Sequence, residues 1–317
     1  MTVVAAQHDA DIIIRERQFA AMGTAVHVVV IGGAPELVDA AVDRIHQLES
    51  RWSRFQPDSE ISRLNAANGQ PVWVSADTLQ LIEKSIQAWR FTRGRFDPTV
   101  YYQLCESGYD RSFIDMPHET SGTLNPKPAP GCAQIFVDSQ SSIVRLPVGV
   151  GFDPGGIGKG LGADFIVEEL LDDGARGVMI NLGGDVRVGG VPPTAEGWRL
   201  GIAHPTQSDA FCVVLSLDGG GVVTSTRSMR KWIHNGAERH HLIDPVTGES
   251  PVTDLESVTI VAAEGWIAEA VAKAAFLAGP AGALPTIQAM GCTGLASYGG
   301  GRVEALESLK PYMALTF

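Results

Sequence analysis

Six glycines fall between positions 151 and 162, in the segment GVGFDPGGIGKGLGAD (Gly149 to Asp164), which opens directly into a helical run. No other stretch constrains the fold so tightly. Glycine lets backbone N–H groups approach an anion closely, and a helix N-terminus adds about half a positive charge. Lys159 adds a full one. The junction is therefore an anion cradle or a Gly-rich turn that only caps a helix, and the residues by themselves leave both readings open. The phosphate loop of nucleotide hydrolases is excluded: its first Gly and its Ser/Thr would stand at Asp153 and Gly160. Gly158-x-Gly160-x-x-Ala163 satisfies the looser dinucleotide fingerprint. No convincing strand precedes it, and no clear acidic strand end follows about 20 residues on.

Composition narrows the partners. Lys and Arg number 24 against 36 Asp and Glu, a net charge of −12 over 317 residues. A general phosphate-backbone binder would be basic, so nucleic acid is not expected. A small anion held by a local site remains compatible. Apolar residues at 44% and a mean hydropathy of +0.07 describe an ordinary folded chain. The cysteines at 105, 132, 212 and 292 form no CxxC pair and no zinc spacing. Scattered in this way they read as reduced, packed residues and fit the cytoplasm. The N-terminus has no basic n-region, no cysteine precedes Cys105, and no run approaches the roughly 20 apolar residues of a spanning helix. A soluble cytoplasmic protein without lipid anchor or membrane insertion is expected.

Along the chain, residues 1–17 read as a flexible lead before one domain over 18–317. Phe19 to Ile31 reads as a strand, and a helix is expected from Pro35, with Leu37, Ala41, Ile45 and Leu48 at helical spacing. A second helix runs from the N-cap Ser75 to Phe91. GRFDPTV (94–100) is a turn, and the proline-rich stretch 105–134 reads as a surface excursion. Short strands are expected at 135–137, 143–146, 178–182, 198–202, 211–217, 222–225 and 256–262. Helices follow Lys159 and span 265–278, ending at Gly174 and Gly279. Strands that bunch rather than alternate with helices predict an α+β fold.

Three further places carry chemistry. Gly183-Gly184-Asp185 reads equally as a hairpin turn or as a ligand-facing turn. Thr224 and Ser225 end a strand ahead of Arg227, Arg230 and Lys231. His241 lies before Asp244-Pro245, where a structural histidine and a plain turn are the ordinary alternatives. Helix 265–278 is apolar except for Glu269 and Lys273, four residues apart. A surface Glu–Lys pair contributes only a few tenths of a kcal/mol. With so little polar face around them, these two are expected either to turn toward a site or to be buried together.

The order of segments resembles the ApbE-like FAD:protein FMN transferases. The blocks are Ala21-Met22-Gly23-Thr24, SRFQPDSEISRLN (Ser53 to Asn65), GRFDPTV, GGIGKGLGAD, NLGGD, TSTR, HHLIDPVTG, SVTIVAA and AEAVAKAAFLAG. They are collinear over nearly the whole chain. The resemblance implies one large domain of two closely packed lobes, with mixed and antiparallel sheets, flanking helices, and FAD in the cleft. It also implies transfer of FMN from FAD to a Thr or Ser hydroxyl of an acceptor flavoprotein, with release of AMP and with Mg²⁺ as cofactor. Carried over by residue, FAD contacts fall on Met22, Phe55 (often Tyr in the family), Asp97, Gly156, Gly158, Lys159, Gly160, Asp164, Gly183, Gly184, Asp185, Thr224, Ser225 and His241. Lys159, Lys273 and His241 are the candidate catalytic groups, His241 as base or phosphate ligand.

The sequence departs from the family at the metal. The resemblance places metal ligands at the Gly158 carbonyl and at an Asp and a Thr four apart on the late helix. Here those two are Glu269 and Lys273. Glu binds Mg²⁺, but a protonated lysine does not. The expectation is therefore a metal at Gly158 and Glu269, or an altered site in which Lys273 supplies the positive charge. Two other activities share these residues: FAD binding without turnover, and FAD pyrophosphatase activity giving AMP and FMN.

Overall fold

The structure is a computed structural model that describes residues 2–3, 13–207 and 210–316. Its contacts gather into two compact units. The first comprises Met1–Gln47, Lys159–Ser225 and Asp254–Phe317; the second comprises Leu48–Gly158 and Thr226–Thr253.

The first unit is built on an eight-stranded sheet. In spatial order its strands are Val303–Ala305, Thr293–Tyr298, Leu255–Ala262, Gly220–Thr226, Asp185–Gly190, Gly177–Leu182, Thr24–Ile31 and Ile14–Ala21. A four-stranded sheet (Thr2–Val3, Trp198–Ala203, Phe211–Leu217, Met313–Thr316) belongs to the same unit. One apolar cluster joins the two sheets: Val29, Ile31, Met179 and Val188 from the larger meet Trp198, Leu200 and Leu215 from the smaller. Val28 and Val30 point to the other face and are also fully buried. A strand buried on both faces needs a continuous apolar run rather than alternation, which is why VHVVVI reads so plainly as a strand. On that other face, the helix Gly158–Asp172 lays Val167 and Leu171 against Gly189, and the helix Gly265–Leu277 packs on strand Leu255–Ala262.

The second unit holds the helices Glu60–Ala66, Ala76–Phe91 and Tyr101–Glu106 and two small three-stranded sheets. Ser75 caps the second of these helices, its hydroxyl accepting from the Thr78 amide. Leu104, Tyr109, Trp232 and Ile243 form a local core.

Several expectations need correction. Strand Ile14–Ala21 begins inside the expected flexible lead, and it pairs residue by residue with Thr24–Ile31. Residues 1 and 4–12 of that lead lie outside the described residues. The single strand expected over Phe19 to Ile31 is thus a hairpin, turned at Met22 and Gly23 with φ of 51° and 65°. Two consecutive positive φ values are what a two-residue hairpin turn requires. The helix expected from Pro35 begins at Leu37. The excursion 105–134 is anchored: Tyr109 and Cys132 are buried, and Glu119–Thr120 pairs in parallel with Ile233 and His234. Helices Glu60–Ala66 and Ala283–Ala289 and strand Thr293–Tyr298 carried too short or too uniform an apolar pattern to be foreseen. No helix among the described residues is long and apolar enough to cross a membrane.

Candidate functional site

Four charged side chains meet in the first unit. Lys159 stands in the first turn of its helix, and its Nζ donates to Asp185 Oδ2 and, at 2.9 Å, to Glu269 Oε1. Lys273 Nζ donates to the same Glu269 oxygen at 3.1 Å. Glu269 Oε2 accepts from the Gly160 amide at 2.8 Å. The Glu269 side chain is wholly buried, whereas that of Lys273 keeps 14% of its exposure. The charges sum to zero, two ammoniums against two carboxylates.

Glycine makes this meeting geometrically feasible. A Cβ on Gly160 would lie 2.5 Å from the Gly265 carbonyl oxygen, and one on Gly265 would lie 2.7 Å from that of Gly160. The two helices therefore touch backbone to backbone at their first turns. Each then offers a carboxylate, four residues on, to the other's N-terminus. Glu269 takes the Gly160 amide, while Asp164 takes the amides of Gly265 at 2.7 Å and Trp266 at 2.9 Å. One orphan amide of the first helix and two of the second are thus satisfied by side chains, and the negative charges sit where the helix dipoles favour them.

The electrostatics differ from group to group. Burial opposes ionisation of Glu269, but the two ammoniums and the Gly160 amide override it and hold the carboxyl at about 2. Glu269 is therefore a fixed charge and a poor base. Burial, reinforced by the Glu269 charge, raises Asp185 above the ordinary carboxylate range, against the pull of Lys159. Burial lowers Lys273, and Glu269 opposes that shift. Asp164 is pushed up to about 6 by burial, although two backbone amides and Arg187 act against the rise.

Taking charges out of water costs several kcal/mol each, and replacing a buried ion pair by apolar groups is often neutral or stabilising. Stability alone gives no reason for four such groups beneath an otherwise apolar helix. Their donors do: Lys273 makes one hydrogen bond among the described residues, so two of its three N–H groups have no protein acceptor there.

Other expected residues gather at the same end of the sheet. Gly183 and Gly184 turn the hairpin with φ of 68° and 99°, immediately before Asp185. The Gly183 amide donates to Ala25, and a Cβ on Gly183 would strike the Thr24 hydroxyl, so this turn abuts the Met22–Gly23 turn. Val222 pairs with Val186, which sends Thr224 and Ser225 toward that end as well. Thr224 bonds the Thr259 hydroxyl at 2.8 Å. The Ser225 hydroxyl is buried with no hydrogen-bond partner among the described residues.

Gly156, Gly158, Asp97, Phe55 and His241 belong to the second unit. Gly156 closes the 3₁₀ turn Pro154–Gly156, and Gly158 begins the helix. Asp97 shapes its own turn, its Oδ1 accepting from the Thr99 amide and hydroxyl. Phe55 is partly exposed, with the Arg54 guanidinium 4.2 Å from its ring centroid. The His241 amide donates to the Arg230 carbonyl, and His241 is half-buried. Its neighbour His240 is the structural one, accepting the Leu242 amide at Nδ1 and facing the Pro251 carbonyl through Nε2. Asp164, expected at the cofactor, lies in the first unit, where it accepts from the Gly265 and Trp266 amides and pairs with Arg187. Sequence reasoning missed Arg187, Arg54 and Asp153. Arg187 and Asp164 pair at 2.8 Å, and Arg54 and Asp153 pair at 2.7 Å. Their partners are far apart in sequence, and no local spacing signals them.

Residues 22–295 match the ApbE family. The chain belongs to the ApbE family. A FAD:protein FMN transferase of Treponema pallidum is 30% identical over 278 residues, covering 81% of this chain and 77% of that one. One of the same description from Haemophilus influenzae is 26% identical, covering 81% and 79%. Among solved structures, the ApbE protein of Thermotoga maritima superposes with a TM-score of 0.83 at 26% identity, covering 95% of this chain and all of that one. The Pseudomonas stutzeri flavinyl transferase ApbE shares the fold, with a TM-score of 0.81 at 20% identity. These likenesses bear out the ApbE-like α+β architecture foreseen from the sequence blocks.

Proposed function

We propose that this chain transfers FMN from FAD to a threonine or serine hydroxyl of an acceptor flavoprotein and releases AMP. The observation that carries the reading is the Lys159–Asp185–Glu269–Lys273 cluster, in which the Lys273 ammonium has two N–H groups without a protein acceptor among the described residues. The relatives' activity gives those donors an object, the pyrophosphate of FAD. The orphan Ser225 hydroxyl at the same sheet end is a further polar group with bonding capacity left for a ligand.

The chemistry suits these groups. The acceptor oxygen bonds to the FMN phosphorus while the bridging P–O bond breaks. The electron pair leaves on the AMP phosphate, and the hydroxyl proton is lost. Little covalent work falls to the protein, so positioning and charge stabilisation carry the rate. Lys159, held by two carboxylates, keeps its ammonium fixed toward the phosphates. Glu269 holds both lysines in register.

The resemblance implies Mg²⁺, and the donor set does not fit it. Both oxygens of Glu269 are engaged, by two ammoniums and an amide. Position 273 offers no lone pair, and among the described residues no three His, Cys, Asp or Glu side chains gather as a metal site.

Intact-mass measurement of an acceptor domain incubated with the chain and FAD tests the reading. A gain of one FMN with stoichiometric AMP is expected. AMP and free FMN with an unlabelled acceptor would favour the pyrophosphatase activity instead, and bound FAD without AMP would favour a binding protein.

A further inference from the structure

We infer that the Lys273 ammonium does the work of a divalent cation, so that this chain transfers FMN without added metal. The inference rests on the transferase reading and concerns the same site.

The Glu269 carboxylate is where a cation would have to bind. Its Oε1 already receives Lys159 at 2.9 Å and Lys273 at 3.1 Å, and its Oε2 receives the Gly160 amide at 2.8 Å. Mg²⁺ requires oxygen ligands at about 2.0–2.1 Å in near-ideal octahedral geometry. To reach Glu269 it would have to displace two ammonium groups of its own sign. Asp185, the other carboxylate of the cluster, is occupied by Lys159.

Lys273 is placed to act in the cation's stead. Its side chain is mostly buried, with 14% of its surface exposed, and one carboxylate oxygen is its single hydrogen-bond partner among the described residues. Two N–H groups remain for an anion. An ammonium bonded to a non-bridging phosphate oxygen neutralises charge as a metal would, through a charge-assisted hydrogen bond. In the transfer step the hydroxyl oxygen of the acceptor joins the FMN phosphorus as the bridging P–O bond breaks. The electron pair and the new negative charge leave on AMP, and the proton passes to water. Lys273 and Lys159 hold the charge that develops on the phosphate oxygens. Every atom and electron is accounted for without a metal.

The test uses the full chain purified in EDTA, with three readouts: bound metal by elemental mass spectrometry, FAD affinity by flavin fluorescence, and FMN transfer to an acceptor domain by intact mass. For the wild type, no stoichiometric metal is expected, and FAD affinity and transfer rate should agree within about twofold in EDTA and in Mg²⁺. Lys273→Met should lose about tenfold in FAD affinity and roughly a hundredfold in transfer in either condition, as loss of a charge-assisted contact to the reacting group implies. Lys273→Thr, which restores a hydroxyl, should be equally slow in EDTA and recover with Mg²⁺. Circular dichroism checks that both variants are folded. Wild-type transfer or FAD binding that requires Mg²⁺ overturns the inference, as does a Lys273→Met variant that transfers at the wild-type rate in EDTA. If no acceptor is labelled and no AMP appears in either condition, the transferase reading fails. The FAD affinities in EDTA then still decide whether Lys273 replaces the cation.

Discussion

Asp164 and Glu269 occupy matching places. Each stands four residues after a glycine at which two helices touch, and each accepts a backbone amide from the other helix's first turn. Their surroundings part there. Asp164 meets one guanidinium, Arg187, and two amides. Glu269 meets two ammoniums, one of which keeps two donors unspent among the described residues. The same capping geometry thus yields a structural clasp on one side and, on the other, the charged cluster proposed to meet FAD. What separates them is the partner: Arg187 binds Asp164 and the Val188 carbonyl through its planar fork, whereas the two lysines share one oxygen of Glu269.

This contrast can be broken at several points. Glu269→Ala should have the largest effect, because it leaves two ammoniums without their common counter-charge. A loss of about 3–5 kcal/mol in urea unfolding is expected, and a loss below 1 would show that the lysines find other partners. A pH effect of nearly that size belongs to Asp164. Its carboxyl rises from 3.8 to about 6 on folding. Its contribution is therefore fully present below pH 3.8 and lost as pH rises through 6. At 1.36 kcal/mol per pKa unit that amounts to about 3 kcal/mol. Wild type compared with Asp164→Asn at pH 4 and pH 7 should show it as a change in their stability difference, with the wild type relatively weaker at pH 7. A difference independent of pH would mean that Asp164 is ionised throughout. Gly160→Ala forces a methyl against the Gly265 carbonyl, 2.5 Å away. The expected cost is about 1–3 kcal/mol, together with weaker FAD binding as the Gly160 amide is prised from Glu269. Lys273→Met should change stability least, by under about 1 kcal/mol, since Lys159 still neutralises Glu269. Equal losses of stability from Lys273→Met and Glu269→Ala would make the two lysines mere ballast for the fold.

Much of this was legible in the sequence, for identifiable reasons. The Gly-rich junction, the two capped helices and the apolar strands announce themselves through local spacing. The oddity of Glu269 and Lys273 in an apolar helix was also local, and of the two expected outcomes the structure realises burial together, with Lys273 left partly open. The capping role of Asp164 was not legible, because the helix it caps lies a hundred residues on. Arg187 was hidden for the same reason. The Met22–Gly23 hairpin was missed because methionine gives no turn signal; its positive φ is imposed by the pairing of Ala21 with Thr24. In the pair His240 and His241, the structural role of His240 is seen only when the Pro251 carbonyl is found to face it.

The central claim is that the lysine and carboxylate cluster is where FAD is broken and FMN passed on. It is tested most directly by intact-mass analysis of an acceptor domain incubated with FAD and either wild type or Lys159→Met, with folding of both confirmed by circular dichroism. The account predicts one FMN per acceptor and equimolar AMP with the wild type, and neither with the folded variant. An FMN adduct formed equally fast by Lys159→Met would contradict it.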